Sequence, residues 1–132
     1  MHTSIYAGLC GLLMAWLALQ TIKARRARRV KLGDGGDFAL QSAIRAQGNF
    51  AEYMPIVLIL LFLLEYNGAP ALVIHVVGAT FLIGRCLHAR GLLTDNLRYR
   101  MRGMGFTLAI LIGLAVANIL LAAFHLLKNL VK

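Results

Sequence analysis

RAQGNFAEYMPIVLILLFLLEY, residues 45–66, joins a polar opening to an unbroken apolar run, and the reading of this stretch decides the reading of the chain. On an α-helix Arg45, Asn49 and Glu52 recur at i, i+4 and i+7, so they share one face within roughly 10 Å of axial rise. They look at the same neighbour. Inside a bilayer each of these side chains is costly, and the rest of the molecule must supply something that offsets them.

Composition places the helix in that setting. The 132 residues are 60% hydrophobic and only 14% charged, with a mean hydropathy of +0.75. A soluble domain of this length cannot hide so much apolar surface inside itself. A net charge of +9 would suggest nucleic acid in a soluble protein. There is no nucleic-acid motif, however, and positive loops flanking membrane helices account for the same charge, so no nucleic-acid partner is expected. Cys10 and Cys86 lie in separate apolar segments without CxxC spacing, which argues against both a disulfide framework and a cysteine metal site. The DGGD turn offers only two carboxylates, too few for a calcium site, so no metal is expected. MHTSIYAGLC has its basic cluster after the apolar core, the reverse of a secretory signal, and reads as a retained helix.

Four segments, near 4–22, 38–66, 70–88 and 103–127, approach or exceed the length of about 20 residues that a hydrocarbon core requires. Only helices satisfy every backbone group there, so the expected fold is an all-α integral membrane four-helix bundle, one domain over residues 1–132. Asp37 is placed to N-cap the second helix, Pro55 to kink it, and Pro70 to open the third at its first helical position. KARRARRVK follows helix one and ARGLLTDNLRYRMR separates helices three and four, whereas the NGAP turn has no basic residue. The positive-inside rule then puts both basic loops in the cytoplasm and both termini on the other side, with Lys128 and Lys132 a weaker contrary signal.

This topology gathers scattered polar residues into one leaflet. Arg45, Asn49 and Glu52 fall in the cytoplasmic half of helix two, Arg85 and His88 in the last turns of helix three, and Arg98, Arg100 and Arg102 around the start of helix four. Glu65 alone lies near the opposite face. Two readings follow. Arg45 pairs with Glu52 and the loop arginines anchor headgroups, or the excess positive charge around one carboxylate leaves room for a small cytosolic anion. His75 and His125 have no spaced partner and read as packing residues, and helix three has no GxxxG repeat despite Gly78 and Gly84.

RAQGNFAEYMP resembles the RxxxNxxEYxP signature of the MAPEG family, membrane-associated proteins of eicosanoid and glutathione metabolism. GRCLH, residues 84–88, resembles the family's GRxxH, and LRYRMRGMGFTLAIL, residues 97–111, is similar to its LRxxxRSxxYTLAxL. The DGGDFALQSAIR stretch suggests the bacterial inner-membrane branch. The resemblance implies a homotrimer that holds glutathione between subunits near the cytoplasmic face. It implies that Arg45, Asn49 and Glu52 contact the tripeptide or order its pocket, with Tyr53, Arg85 and His88 beside them. It also implies that Arg102 stabilises the thiolate and that a basic residue ending helix one, Arg25, reaches a glutathione carboxylate. The chain departs from the family at Leu92 and Phe106, where tyrosines are usual, and at Gly103, where serine is usual.

The implied activity is glutathione-dependent transfer, or peroxide reduction, on hydrophobic electrophiles arriving from the lipid. A thiol of pKa about 8.5 is mostly protonated at neutral pH, and lowering that value by about two units takes roughly 2.7 kcal/mol, within reach of one or two arginines in a partly dry pocket. The competing readings are a non-catalytic scaffold of the same family that binds lipid or glutathione, and a small multidrug transporter. The transporter class carries an essential glutamate in helix one, whose apolar core here has no charge.

Overall fold

The computed structural model describes residues 1–130, so Lys132 lies outside the described residues. The chain forms four helices, α1 (Thr3–Arg28), α2 (Phe38–Tyr66), α3 (Ala71–Leu93) and α4 (Leu97–Leu130). Each contains an apolar window long enough to cross a membrane. They form an antiparallel up-and-down bundle in which consecutive helices pack together and α2 also touches α4. Both basic connections lie at one end, and the α2–α3 turn and the N-terminus lie at the other.

Several boundaries differ from the sequence expectation. α1 runs on to Arg28 because Lys, Ala and Arg favour helix, and Arg25, Arg26 and Arg28 sit where the carbonyl ends carry partial negative charge. It stops at Arg29, whose left-handed backbone (φ 54°) lets the Val30 N–H reach back to the Arg25 carbonyl at 3.1 Å. The expected long loop between the third and fourth helices shrinks to Thr94–Asn96. Asn96 accepts the Tyr99 N–H at 3.2 Å and starts α4 there. Arg98, Arg100 and Arg102 therefore ride on a helix and hold fixed directions. At α3 Pro70 is the N-cap rather than the first helical residue, while α2 continues as helix through Pro55.

Close contact between α3 and α4 is made by glycine. A Cβ added at Gly84 would lie 2.9 Å from Phe106 Cβ, one at Gly91 would meet the Arg100 backbone, and one at Gly103 would meet the His88 backbone. Position 103 has no space for a side chain. Gly84, His88 and Gly91 recur at i, i+4 and i+7, so the seam and the histidine share one helical face. A search for GxxxG alone passes over this pattern.

The bundle's outer surface is apolar. Leu9, Leu12, Trp16 and Leu19 form an exposed stripe along α1, and the apolar window of α4 is only 11% buried. Such surface belongs in lipid or against another copy. At the end away from the basic connections, Glu65 accepts the His2 and Thr3 N–H groups and closes the start of α1. This gives the isolated carboxylate a structural partner. At the basic end Asp37 accepts the Leu40 N–H at 2.7 Å and pairs with Arg28, joining α1 to α2 across their connection.

Two outcomes test this packing. Gly103→Ala should destabilise the bundle by about 1–3 kcal/mol, the usual cost of overpacking, seen as a lower thermal midpoint in detergent. Arg28 beside Asp37, with the Leu40 N–H, holds the Asp37 carboxyl below the usual carboxylate range. A depressed carboxyl contributes stability above its unfolded pKa of about 3.9 and loses it as pH falls through the lower folded value. The stability gap between the native protein and Asp37→Asn should thus be constant above about pH 5, close on acidification, and narrow with added salt.

Candidate functional site

At the basic end the polar first half of α2 faces the end of α3 and the beginning of α4. Between them lies a cavity of about 390 Å³ lined by Arg45, Asn49, His88 and Arg100, with Leu92 and Met104 among its apolar walls. A second space of about 220 Å³ shares Arg45, Leu92 and Arg100 and continues past Gln41, Ser42 and Asp95. Together they make one cleft running from the helix ends into the bundle.

Beneath the cleft sits a fully buried cation. Arg85 is 0% exposed, and its guanidinium donates to Asn49 Oδ1 at 2.8 Å and to Thr107 Oγ1 at 3.3 Å. Thr107 in turn donates to the Gly103 carbonyl at 2.9 Å. Phe50 and Tyr53 place their rings 5.8 and 5.7 Å from the guanidinium carbon, at cation–π range. Arg85 Nε has no hydrogen-bond partner. α2, α3 and α4 are thereby joined through one charged group.

The network continues to the surface. The Asn49 amide nitrogen donates to Glu52 at 3.5 Å, and Glu52 lies 3.9 Å from Arg45. Both side chains of that pair are more than half exposed (60% and 54%), so the pairing contributes little and leaves Arg45 available to another anion. His88 is buried, with Nδ1 3.0 Å from the Arg100 carbonyl. A carbonyl only accepts, so Nδ1 carries the proton and Nε2 is the acceptor of the neutral ring.

Not every expected residue meets here. Arg45, Asn49 and His88 line the cleft, and Glu52 borders it through Asn49 and Arg45. Tyr53 and Arg85 lie behind it in contact with one another. Arg25 donates to the Gly33 carbonyl at 2.7 Å and lines a different groove, of about 410 Å³, with Gln47 and Gly48 between α1 and α2. Residues 45 and 47 sit on nearly opposite sides of α2, about 160° apart. Arg102 is exposed and lines neither part of the cleft. It lies about 160° around α4 from Arg100 and Met104.

Arg100, grouped by sequence with Arg98 and Arg102 at the start of the fourth helix but given no role at the ligand there, lines the cleft, and Gln41, Ser42 and Thr107 are outside the expected set altogether. Once α4 starts at Leu97, positions 97, 100, 101 and 104 form a helical stripe that points to Arg100, a pattern hidden when the helix is begun at 103. Leu92 lines both spaces, so the hydroxyl that the family tyrosine would bring is missing from the cleft itself.

A four-helix membrane bundle with an arginine-lined cleft at its basic end defines the class, and the sequence profile of the MAPEG family matches residues 3–120. The chain belongs to that family. It is 36% identical over 130 residues to the inner membrane protein YecN of Escherichia coli (strain K12), covering 98% of this chain and 99% of that protein. The protein of the same name in Escherichia coli O6:H1 matches to the same extent.

Because Asn49 accepts from Arg85, Asn49→Leu should leave that guanidinium nitrogen without its acceptor and cost about 1–3 kcal/mol. The double variant Asn49→Leu/Arg85→Met removes the charge with its partner and should recover most of that loss. Thermal unfolding of the native protein, of Asn49→Leu and Arg85→Met singly and of the double variant, all in the same detergent, gives the coupling.

Proposed function

We propose that the cleft binds glutathione, or another small anionic thiol, and that the protein is a glutathione-dependent transferase of the bacterial inner membrane acting on hydrophobic electrophiles. The observation that carries this reading is a cavity of about 390 Å³ with Arg45 and Arg100 in its walls, the one carboxylate lining the cleft among the described residues, Asp95, standing in the adjoining smaller space. Two guanidinium groups at the end of a membrane bundle suit a ligand that brings its own carboxylates. Membership of the MAPEG family supports the same ligand class.

The residues divide the work. Arg45, held beside Glu52, and Asn49, held by Arg85, orient the tripeptide, with Arg85 and Tyr53 positioning them from behind. His88 Nε2 takes the thiol proton, and Arg100 stabilises the thiolate left behind. The thiolate attacks the electrophilic carbon, an S–C bond forms, and the leaving group departs with its electron pair. Met101, 65% exposed on the same cleft wall, gives a lipid-borne electrophile an apolar approach.

Homotrimeric assembly completes the site in this reading. Arg25 and Gln47 face away from Arg45 and His88, so one copy's α1–α2 groove must meet another copy's cleft for Arg25 to reach the ligand. Arg102 likewise reaches the thiolate from a neighbouring copy. Both basic connections face the cytoplasm, as their charge requires, and the relative's name as an inner membrane protein agrees with that setting. The scaffold reading draws on Leu92, which leaves the cleft without a tyrosine hydroxyl.

Purified protein in detergent should be stabilised against heat by glutathione and should conjugate glutathione to a chlorinated nitrobenzene with release of chloride. Arg45→Ala and Arg100→Ala should each weaken glutathione binding by roughly 10- to 100-fold, the value of one charge-assisted hydrogen bond. Arg100→Ala should also move the pH–rate profile upward, and Arg102→Ala should do so in the trimer. Binding without conjugation assigns the scaffold role, and the absence of both overturns the proposal.

A further inference from the structure

A second groove, of about 500 Å³, lies on the bundle's outer flank between α1 and α3, away from the α2–α3–α4 cleft. Leu13 and Trp16 form one wall, and Cys86, Ala89 and Leu93 form the other. At its mouth, on the side of the basic end, stand Arg90 and Thr94, the latter the C-cap of α3. The groove spans residues 86 to 94 of α3, about 12 Å along the axis, and ends with the helix itself.

The charge at that mouth is unmatched. Arg90 stacks on Tyr99 with its guanidinium carbon 5.4 Å from the ring centroid, which fixes the cation without neutralising it. It forms no ion pair among the described residues. α1 continues past Trp16 for twelve more residues to Arg28 and carries Lys23 and Arg26 beyond the groove. An apolar slot, a cation at its membrane-surface end and a basic arm above it complement one kind of molecule: an acyl chain joined to a negatively charged headgroup.

The geometry points to a specific phospholipid site here, with an acyl chain in the Leu13–Leu93 slot and an anionic headgroup on Arg90. The occupant is an anionic lipid of the leaflet at the basic end. Zwitterionic lipids fit the slot but gain less from Arg90, because the cationic amine of their headgroup offsets the phosphate. The site uses no residue of the thiol cleft, so each stands or falls without the other.

Native mass spectrometry of the detergent-solubilised protein, titrated with phosphatidylglycerol or with phosphatidylcholine of the same acyl chains, tests the assignment. Phosphatidylglycerol should be retained in preference to phosphatidylcholine. Arg90→Gln should lower that preference about fivefold, the value of one basic side chain near a membrane surface, while Arg90→Lys keeps it. Arg98→Gln, which removes an exposed arginine outside the groove, should leave it unchanged. Leu13→Trp, which fills the slot, should reduce retention of both lipids. Equal retention of the two lipids by the native protein, or equal effects of Arg90→Gln and Arg98→Gln, would mean a non-specific lipid shell and overturn the site.

Discussion

The bundle is organised around a guanidinium with no exposure at all. Arg85 lies well inside a helix long and apolar enough to cross a membrane, and it is tolerated because Asn49 and Thr107 accept from it while Phe50 and Tyr53 cover it. Satisfying such a group demands that α2, α3 and α4 keep one register. Asn49 and Glu52 lie on the route from that charge to the cleft, so their directions follow from the same requirement.

The glycine seam is the second constraint, and it acts at the level of the backbone. Where Gly84, Gly91 and Gly103 let α3 and α4 touch, the Arg100 carbonyl comes within reach of His88 Nδ1. The contact selects the histidine tautomer and puts Arg100 in the cleft wall. A bulkier residue at 103 would part the two helices and separate these groups together.

Charge on this molecule is therefore of three kinds. Arg85 is buried and held by neutral partners, with its Nε unpaired. Arg28 and Glu65 tie down helix ends, one through Asp37 and the other through the backbone of α1. Arg45, Arg90 and Arg100 have no strong ionic partner among the described residues, and these are the positions open to an anion from outside. A net charge of +9 read from composition does not distinguish them, because partnership depends on which helices meet.

The four apolar runs, the Asp37 cap, the tight NGAP turn and the RxxxNxxEYxP motif were legible because each depends on near neighbours in the chain: the width of a hydrocarbon layer, a capping carboxylate, the period of a helix. Arg45, Asn49 and His88 could be grouped for the same reason, since helix lengths alone put them at one end. The depth of Arg85, the cleft position of Arg100, the turning of Arg102 away from it and the separation of Arg25 could not be read that way. Those depend on rotation about each helix axis, where one residue is about 100°, and rotation is set by which side chains and glycines interlock between helices remote in sequence.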